Sequence, residues 1–253
     1  MTQRVLITAG ADGIGLEIAK SFLKNNARVW VTDINQDAIN DLPDGIQGSC
    51  LDVVDEIGMS NLYDKIIKTW GGLDVLCANA GIAGPTAAID QISLKDWSHC
   101  LKVNLDGTFI AAKYAAKIFK KQNSGVLNIT SSTAGQYGYP HRSPYCAAKW
   151  GVIGLMKTLA MELGPSGIRV NAICPGAVEG ARMESVLANE SKVTGLTREK
   201  IYDGYSAGTS MQTWIDAHDI AEMIVFLSSK KARFVSGQVI AVDGDTFNPN
   251  PQI

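Results

Sequence analysis

Tyr145 and Lys149 stand four residues apart in the run SPYCAAKWGVIGLMKTLAMELG. That run reads as a helix beginning near Ser143, so an i, i+4 spacing puts both side chains on one face. A phenol with a pKa near 10 is a poor base at neutral pH, but an ammonium within a few ångströms favours the phenolate. Such a pair can exchange a proton with an alcohol or carbonyl oxygen. Taken alone the spacing is frequent by chance, and a packed ring beside a surface lysine satisfies it equally well. Two further residues add weight. Ser132 ends the apolar run GVLNITSS, where its hydroxyl can hydrogen-bond a substrate oxygen as charge develops. Asn104 lies in a long helix-like segment, Trp97–Lys121, where a buried amide needs partners and could hold a water relay to Lys149. A capped or solvent-facing asparagine is the alternative.

A second group of residues could hold a dinucleotide. The segment VLITAGADGIGLEIAKSF places a strand, then Gly10, Gly13 and Gly15, with Asp12 and Ile14 between them, then a helix. Backbone amides and a helix N-terminus can approach a pyrophosphate there without Cβ interference. Glycines also make ordinary tight turns, but a position between a first strand and a first helix favours the phosphate reading. The run RVWVTD ends at Asp33, whose carboxylate can accept hydrogen bonds from both hydroxyls of an adenosine ribose. A carboxylate repels a 2′-phosphate, and no Arg or Lys stands at positions 9 to 15 or directly after Asp33, so the residues predict NAD rather than NADP. A strand-end turn or helix cap is the other reading of Asp33. Asp52 and Val53, then Asn79, Ala80 and Gly81, follow the next two strands, where polar and small groups can reach adenine and ribose.

These side chains must be carried by elements, and the hydrophobic pattern supplies them. Short apolar runs at Arg4–Thr8, Arg28–Asp33, Gly48–Leu51, Leu73–Ala78, Gly125–Ser131, Arg169–Ile173 and Gln238–Val242 read as strands apolar on both faces. Between them, Ile14–Asn25, Glu56–Thr69, Trp97–Lys121, Tyr145–Leu163 and Asp216–Ser228 read as helices. This alternation predicts an α/β fold with a doubly wound parallel sheet. One polar insertion, about 176–212, breaks the rhythm with helical patterns at Arg182–Ser191 and Thr197–Tyr205. A long insertion after a strand's carboxyl end suggests a lid or binding loop, or else a surface excursion. Asp245–Ile253 reads as an extended arm.

Composition narrows the classes. The 253 residues carry a formal net charge of −2, which offers no electrostatic footprint for nucleic acid or an anionic membrane. A single domain over 1–253 is the economical expectation. The start MTQRVLITAG is too short for a signal h-region and no long apolar span follows, so a cytoplasmic protein is expected. The five cysteines are scattered singly without metal-ligand spacing, which predicts buried free thiols and no metal site.

Together these residues resemble the short-chain dehydrogenase/reductase family over nearly the whole chain. The motifs that carry the resemblance are TAGADGIG from Thr8 to Gly15, Asp33, Asn79-Ala80-Gly81, Asn104, Ser132, YCAAK from Tyr145 to Lys149, Pro175-Gly176 and Ser236-Gly237-Gln238. The resemblance implies one Rossmann-type domain, NAD-linked hydride transfer to or from a secondary alcohol or ketone, and a homodimer or homotetramer. It implies Tyr145 as acid/base, Ser132 as partner of the substrate oxygen, Lys149 as ribose ligand and perturber of Tyr145, and Asn104 as relay support. Three positions depart from the pattern. Ala9 follows Thr8 where the family usually has glycine, and Ala78 replaces a common asparagine. Ala177-Val178-Glu179-Gly180 replaces a frequent threonine after Pro175-Gly176, which leaves the nicotinamide amide to the Val178 backbone.

Arg142 precedes Tyr145 by three residues in the loop GYPHRSPY and could clamp a carboxylate, with Arg182 in the insertion as a second clamp. Some family members acting on small hydroxy or oxo acids carry Arg there. A small hydroxy acid or sugar acid is therefore expected, unless Arg142 pairs with a local acid at a subunit interface. A 3-oxoacyl thioester reductase is the main alternative, and a non-catalytic dinucleotide-binding sensor the distant one. His141 reads as a loop residue, and Trp150 and Trp214 as packing aromatics.

Overall fold

The computed structural model describes residues 2–248, so most of the expected terminal arm lies outside the described residues. Seven strands form one wholly parallel sheet: β1 Arg4–Thr8, β2 Arg28–Asp33, β3 Ile46–Cys50, β4 Val75–Ala78, β5 Gly125–Thr130, β6 Ile168–Pro175 and β7 Val239–Val242. Their spatial order is β3-β2-β1-β4-β5-β6-β7, which reverses direction between β1 and β4. A crevice opens beyond the carboxyl ends of the strands at such a reversal, and that is where the expected cofactor residues lie.

Period-two alternation sorts each strand between two helical layers. Val5 and Ile7 of β1 pack with Ile18 and Phe22 of α1 (Gly13–Lys24) and with Ile220, Ile224 and Leu227 of α9 (Ala217–Ser228). Leu6, between them, faces the other way, into a cluster with Met59 and Ile66 of α3 (Glu56–Trp70), Phe119 of α5 (Gly107–Gln122) and Met156 of α6 (Ser143–Leu163). Each fully buried side chain of this size stabilises the fold by about 1.5–3 kcal/mol. At the amino end of the sheet, Arg4 makes a two-pronged ion pair with Asp74, at 2.9 and 2.7 Å, tying the entry of β1 to that of β4.

Four elements differ from the sequence expectation. A short helix α2, Gln36–Asn40, follows β2, capped by the Asn35 side chain on two backbone amides. Strand β3 is an edge strand with only Ile46 buried, so it is not apolar on both faces. The expected single helix Trp97–Lys121 is α4 (Leu94–Leu101) joined to α5 by one wide π-type turn over Lys102–Asp106. The insertion forms α7 (Ala181–Thr194) and α8 (Arg198–Ala207), each longer than the pattern suggested.

The turn after β1 carries a local strain. Ala9 has φ +50°, a left-handed conformation that costs an L-residue roughly 1–2 kcal/mol. It is held because Gly10 donates to the Thr32 carbonyl at 2.9 Å and Asn79 donates to the Ala9 carbonyl at 3.1 Å. Replacing Ala9 by Gly removes the strain against glycine's greater unfolded-state entropy, for a net gain of about 0.5 kcal/mol. A raised denaturation midpoint in guanidinium, at unchanged slope, is the expected result; a lowered one would mean that Ala9 is not left-handed.

Candidate active site

One cleft of about 450 Å³ runs along the carboxyl ends of β1, β2, β4, β5 and β6 and is bordered by α7 and α8. At one end lies the turn between β1 and α1. A Cβ built on Gly15 would sit 2.0 Å from the Ala9 carbonyl oxygen, and one on Gly10 would sit 2.6 Å from Val31, so both positions require glycine for close packing. Gly13, at φ +50°, has open space where its Cβ would be. Asp12 caps α1 by accepting from the Gly13 amide at 2.7 Å. Gly13, Ile14, Gly15 and Asp12 line the cleft, and Gly10 lies behind it.

The Asp33 carboxylate also lines the cleft and is oriented by two amides, Ala11 at 3.3 Å and Asn35 at 3.1 Å. Asn79 and Gly81 line it, whereas Ala80 is anchored behind them by its amide on the Thr8 hydroxyl at 3.0 Å. Asp52 is exposed and caps its own turn by accepting from the Val54 amide; Val53 is buried against Gly107. Neither lines the cleft. Pro175, Gly176 and Val178 do. Val178 forms a bridge to Ile215 that uses the Ala177 carbonyl and the Glu179 amide, leaving its own peptide groups outside the bridge.

Three residues of the expected proton site, Ser132, Tyr145 and Lys149, line the cleft, and the fourth, Asn104, is buried behind it. Tyr145 and Lys149 project from the first turns of α6. The Lys149 ammonium is buried, donates to the Thr130 carbonyl at 2.9 Å, and lies 5.6 Å from the Tyr145 ring centre. Ser131 pins this part of α6 by donating to the Lys149 carbonyl at 2.9 Å. Ser132 follows directly and caps the next turn, accepting from Ala134 at 3.1 Å.

The wide turn between α4 and α5 brings Asn104 into the site; π-type turns often sit at functional positions. Its Nδ2 donates to Cys100 O at 2.9 Å and Ile82 O at 3.0 Å, while its Oδ1 is buried without a partner. A Cβ on Gly81 would lie 2.5 Å from that Oδ1 and 3.4 Å from Lys149 Nζ, so the missing side chain leaves the asparagine oxygen and the ammonium facing one small space.

Three cations surround the Tyr145 ring. Arg142, Lys149 and Arg182 lie 4.9, 5.6 and 5.9 Å from its centre. Burial alone would push the phenol up, but Lys149, Arg182 and Arg142, with the Ser132 hydroxyl, outweigh it and hold Tyr145 below its ordinary pKa. Burial likewise pulls the Lys149 ammonium down, partly opposed by Tyr145.

Arg142 pairs with a local acid, as one reading of the sequence had it, but within its own chain: Nη1 lies 3.6 Å from Glu190 of α7. Glu190 and Tyr205, which donates to that carboxylate at 2.7 Å, were both missed in the sequence. The available signal was phase, since Glu190 falls on the same face of α7 as Val186 and Leu187. His141 is exposed, with φ +62°, and contributes its carbonyl to the Ala87 amide. Trp214 stacks on Tyr202 at 4.2 Å, and Trp150 is exposed outside the cleft. Among the described residues no cluster of side chains could hold a metal ion, and no helix is long and apolar enough to cross a membrane.

The chain is similar to known proteins over most of its length. A family model described as enoyl-(acyl carrier protein) reductase matches residues 8–244. The chain is 33% identical over 246 residues to the 3-oxoacyl-[acyl-carrier-protein] reductase FabG of Thermotoga maritima, covering 94% of this chain and 95% of that one. The structure of NAD⁺-bound xylitol dehydrogenase superposes with a TM-score of 0.92 at 25% identity, over 96% of this chain and 98% of the other. ElxO with NADP bound gives 0.85 at 32% identity, over the same shares.

The Tyr145 phenol can be isolated as the difference between ultraviolet titrations of the native protein and Tyr145→Phe. Its ionisation is expected below the ordinary value of about 10, and Arg182→Ala should move it upward; a phenol unmoved by that substitution would remove Arg182 from its environment.

Proposed function

The chain belongs to the short-chain dehydrogenase/reductase family, and from that premise we propose that it is an NAD-dependent oxidoreductase acting on a secondary alcohol or its ketone, with a small hydroxy acid or sugar acid as substrate. The observation that carries this reading is the ring of Arg142, Lys149 and Arg182 around one phenol. Besides helping Lys149 hold the phenol down, the two guanidiniums bring positive charge to the substrate side of the cleft that a carboxylate would match.

NAD, when bound, supplies the hydride acceptor at its nicotinamide. The turn over Gly13–Gly15 and the α1 N-terminus would receive the pyrophosphate, Asp33 the adenosine ribose, Lys149 and Asn79 the second ribose, and Val178 the carboxamide. In alcohol oxidation the Tyr145 phenolate accepts the hydroxyl proton as the carbinol carbon gives up its hydride, and Ser132 hydrogen-bonds the same oxygen. Lys149 stabilises the phenolate, and the space it shares with Asn104 Oδ1 can hold a water that returns the proton to solvent. Reduction runs the same groups in reverse.

Asp33 supports NAD, because its carboxylate is fixed by two amides with no cation following it. The similarity to a 3-oxoacyl reductase favours a second reading, in which the cleft takes a thioester; the two guanidiniums weigh against it, since a 3-oxoacyl thioester has no carboxylate at the reacting end. We further propose a homodimer or homotetramer, because Phe109 on α5 and Trp150 on α6 are each half exposed on adjacent helices.

Absorbance of reduced nicotinamide, followed while small hydroxy acids, sugar acids and neutral alcohols are offered with NAD or NADP, tests the substrate and cofactor. NAD should be reduced, anionic alcohols preferred, and Arg182→Ala should raise their KM about tenfold or more, the scale of one charge-assisted contact. Equal use of neutral alcohols by both proteins would set the anionic substrate aside, and preference for NADP would overturn the role of Asp33. Light scattering of the eluted protein should give a multiple of the 27.0 kDa chain mass; a monomer would contradict the assembly.

A further inference from the structure

Behind the guanidinium that flanks Tyr145 lies a carboxylate that the proton chemistry does not use. Glu190, on α7, is only 9% exposed. It accepts from the Tyr205 hydroxyl of α8 at 2.7 Å and lies 3.6 Å from Arg142 Nη1. Among the described residues no other carboxylate comes within ion-pair distance of Arg142. Arg142, itself 6% exposed, donates through Nη2 to the Ala83 carbonyl at 3.3 Å, while its Nε is buried with no partner. One acidic side chain thus joins α7, α8 and the loop that leads into α6.

The energetics make these positions depend on one another. A carboxylate is rarely buried unless paired, and deleting one member of a buried pair leaves the other charge uncompensated. Arg142 therefore cannot swing freely toward solvent without stranding Glu190, and α7 cannot lift away without stranding both. The Nε is buried, while the Arg142 side chain as a whole forms part of the cleft wall with Tyr145.

We propose that Glu190 is a positioning residue for the substrate side of the cleft: through Arg142 and Tyr205 it sets the pose of the guanidinium and holds α7 and α8 together, so that Arg142 faces the substrate. Only the last step rests on the anionic-substrate reading above. Glu190 touches no reacting atom in this account and acts through Arg142.

The test is a double-mutant cycle of Glu190→Gln and Arg142→Ala, run on whichever alcohol the native enzyme turns over fastest, with hydrogen exchange of residues 181–207 read alongside. Glu190→Gln keeps the shape and an acceptor for Tyr205 but removes the charge that holds Arg142. It should raise the KM for the alcohol about tenfold, with kcat changed less than about threefold and the KM for NAD unaltered. In the Arg142→Ala background the same change should add nothing, as expected for residues acting as a unit. Tyr205→Phe should speed exchange in 181–207 and leave the sheet protected. Multiplying effects in the double variant, a matching rise in the KM for NAD, or unaltered exchange in the Tyr205→Phe protein would each overturn the proposal. Preference for a neutral alcohol would remove the anionic reading alone, because the cycle is scored on the preferred substrate.

Discussion

A lysine ammonium cannot be buried without acceptors, and the placement of Lys149 constrains everything around it. Its protein acceptor is the Thr130 carbonyl at the last residue of β5, which requires α6 to lie across the carboxyl end of that strand. Ser131 fixes the register by bonding the lysine's own carbonyl. Gly81, just beyond β4, must lack a side chain so that the ammonium and Asn104 Oδ1 can share a space. Asn104 lies on the wide turn, and its side-chain amide bonds the Cys100 and Ile82 carbonyls. Sheet order, helix register and an irregular turn thus all meet at one charge.

The electrostatics of the cleft follow from the same arrangement. A half-buried phenol resists ionisation, and one buried lysine, its own charge weakened by desolvation, is a limited counterweight. The two arginines supply the rest, one from the loop before α6 and one from α7. Their charge is balanced on one side only, by Glu190, which burial makes reluctant to ionise and which Tyr205 and Arg142 favour as the carboxylate. Near the turn between β1 and α1 the cleft is lined instead by Asp12 and Asp33.

How much of this was legible depended on whether the signal was periodic. The parallel sheet, its two helical layers and the Tyr145–Lys149 face follow from spacing, and each stands where the pattern put it. The glycine turn was legible because its order between strand and helix is itself informative. What escaped was structure with no period. Leu94 to Gln122 is helix-compatible throughout, so nothing in its composition marks the wide turn at Asn104. Ala9 conceals a left-handed turn under a residue that rarely adopts one. Strand β3 was expected to be buried on both faces, yet it lies at the sheet edge, a tertiary fact. Asp52 and Val53 were placed at a strand end in the right neighbourhood, but one faces solvent and the other packs under Gly107. Glu190 was visible only as an acid in phase with an apolar face.

In the mechanism proposed above, Tyr145 performs the proton transfer while the surrounding cations hold its phenol below the ordinary pKa. Tyr145→Phe removes one oxygen and leaves the ring, the helix and the nucleotide turn in place, so turnover and NAD affinity measured on the same preparation test it most directly. The account predicts unchanged NAD binding and a loss of turnover of about 10²–10⁴-fold, the usual contribution of a positioned acid or base; turnover within a few-fold of the native enzyme would contradict it.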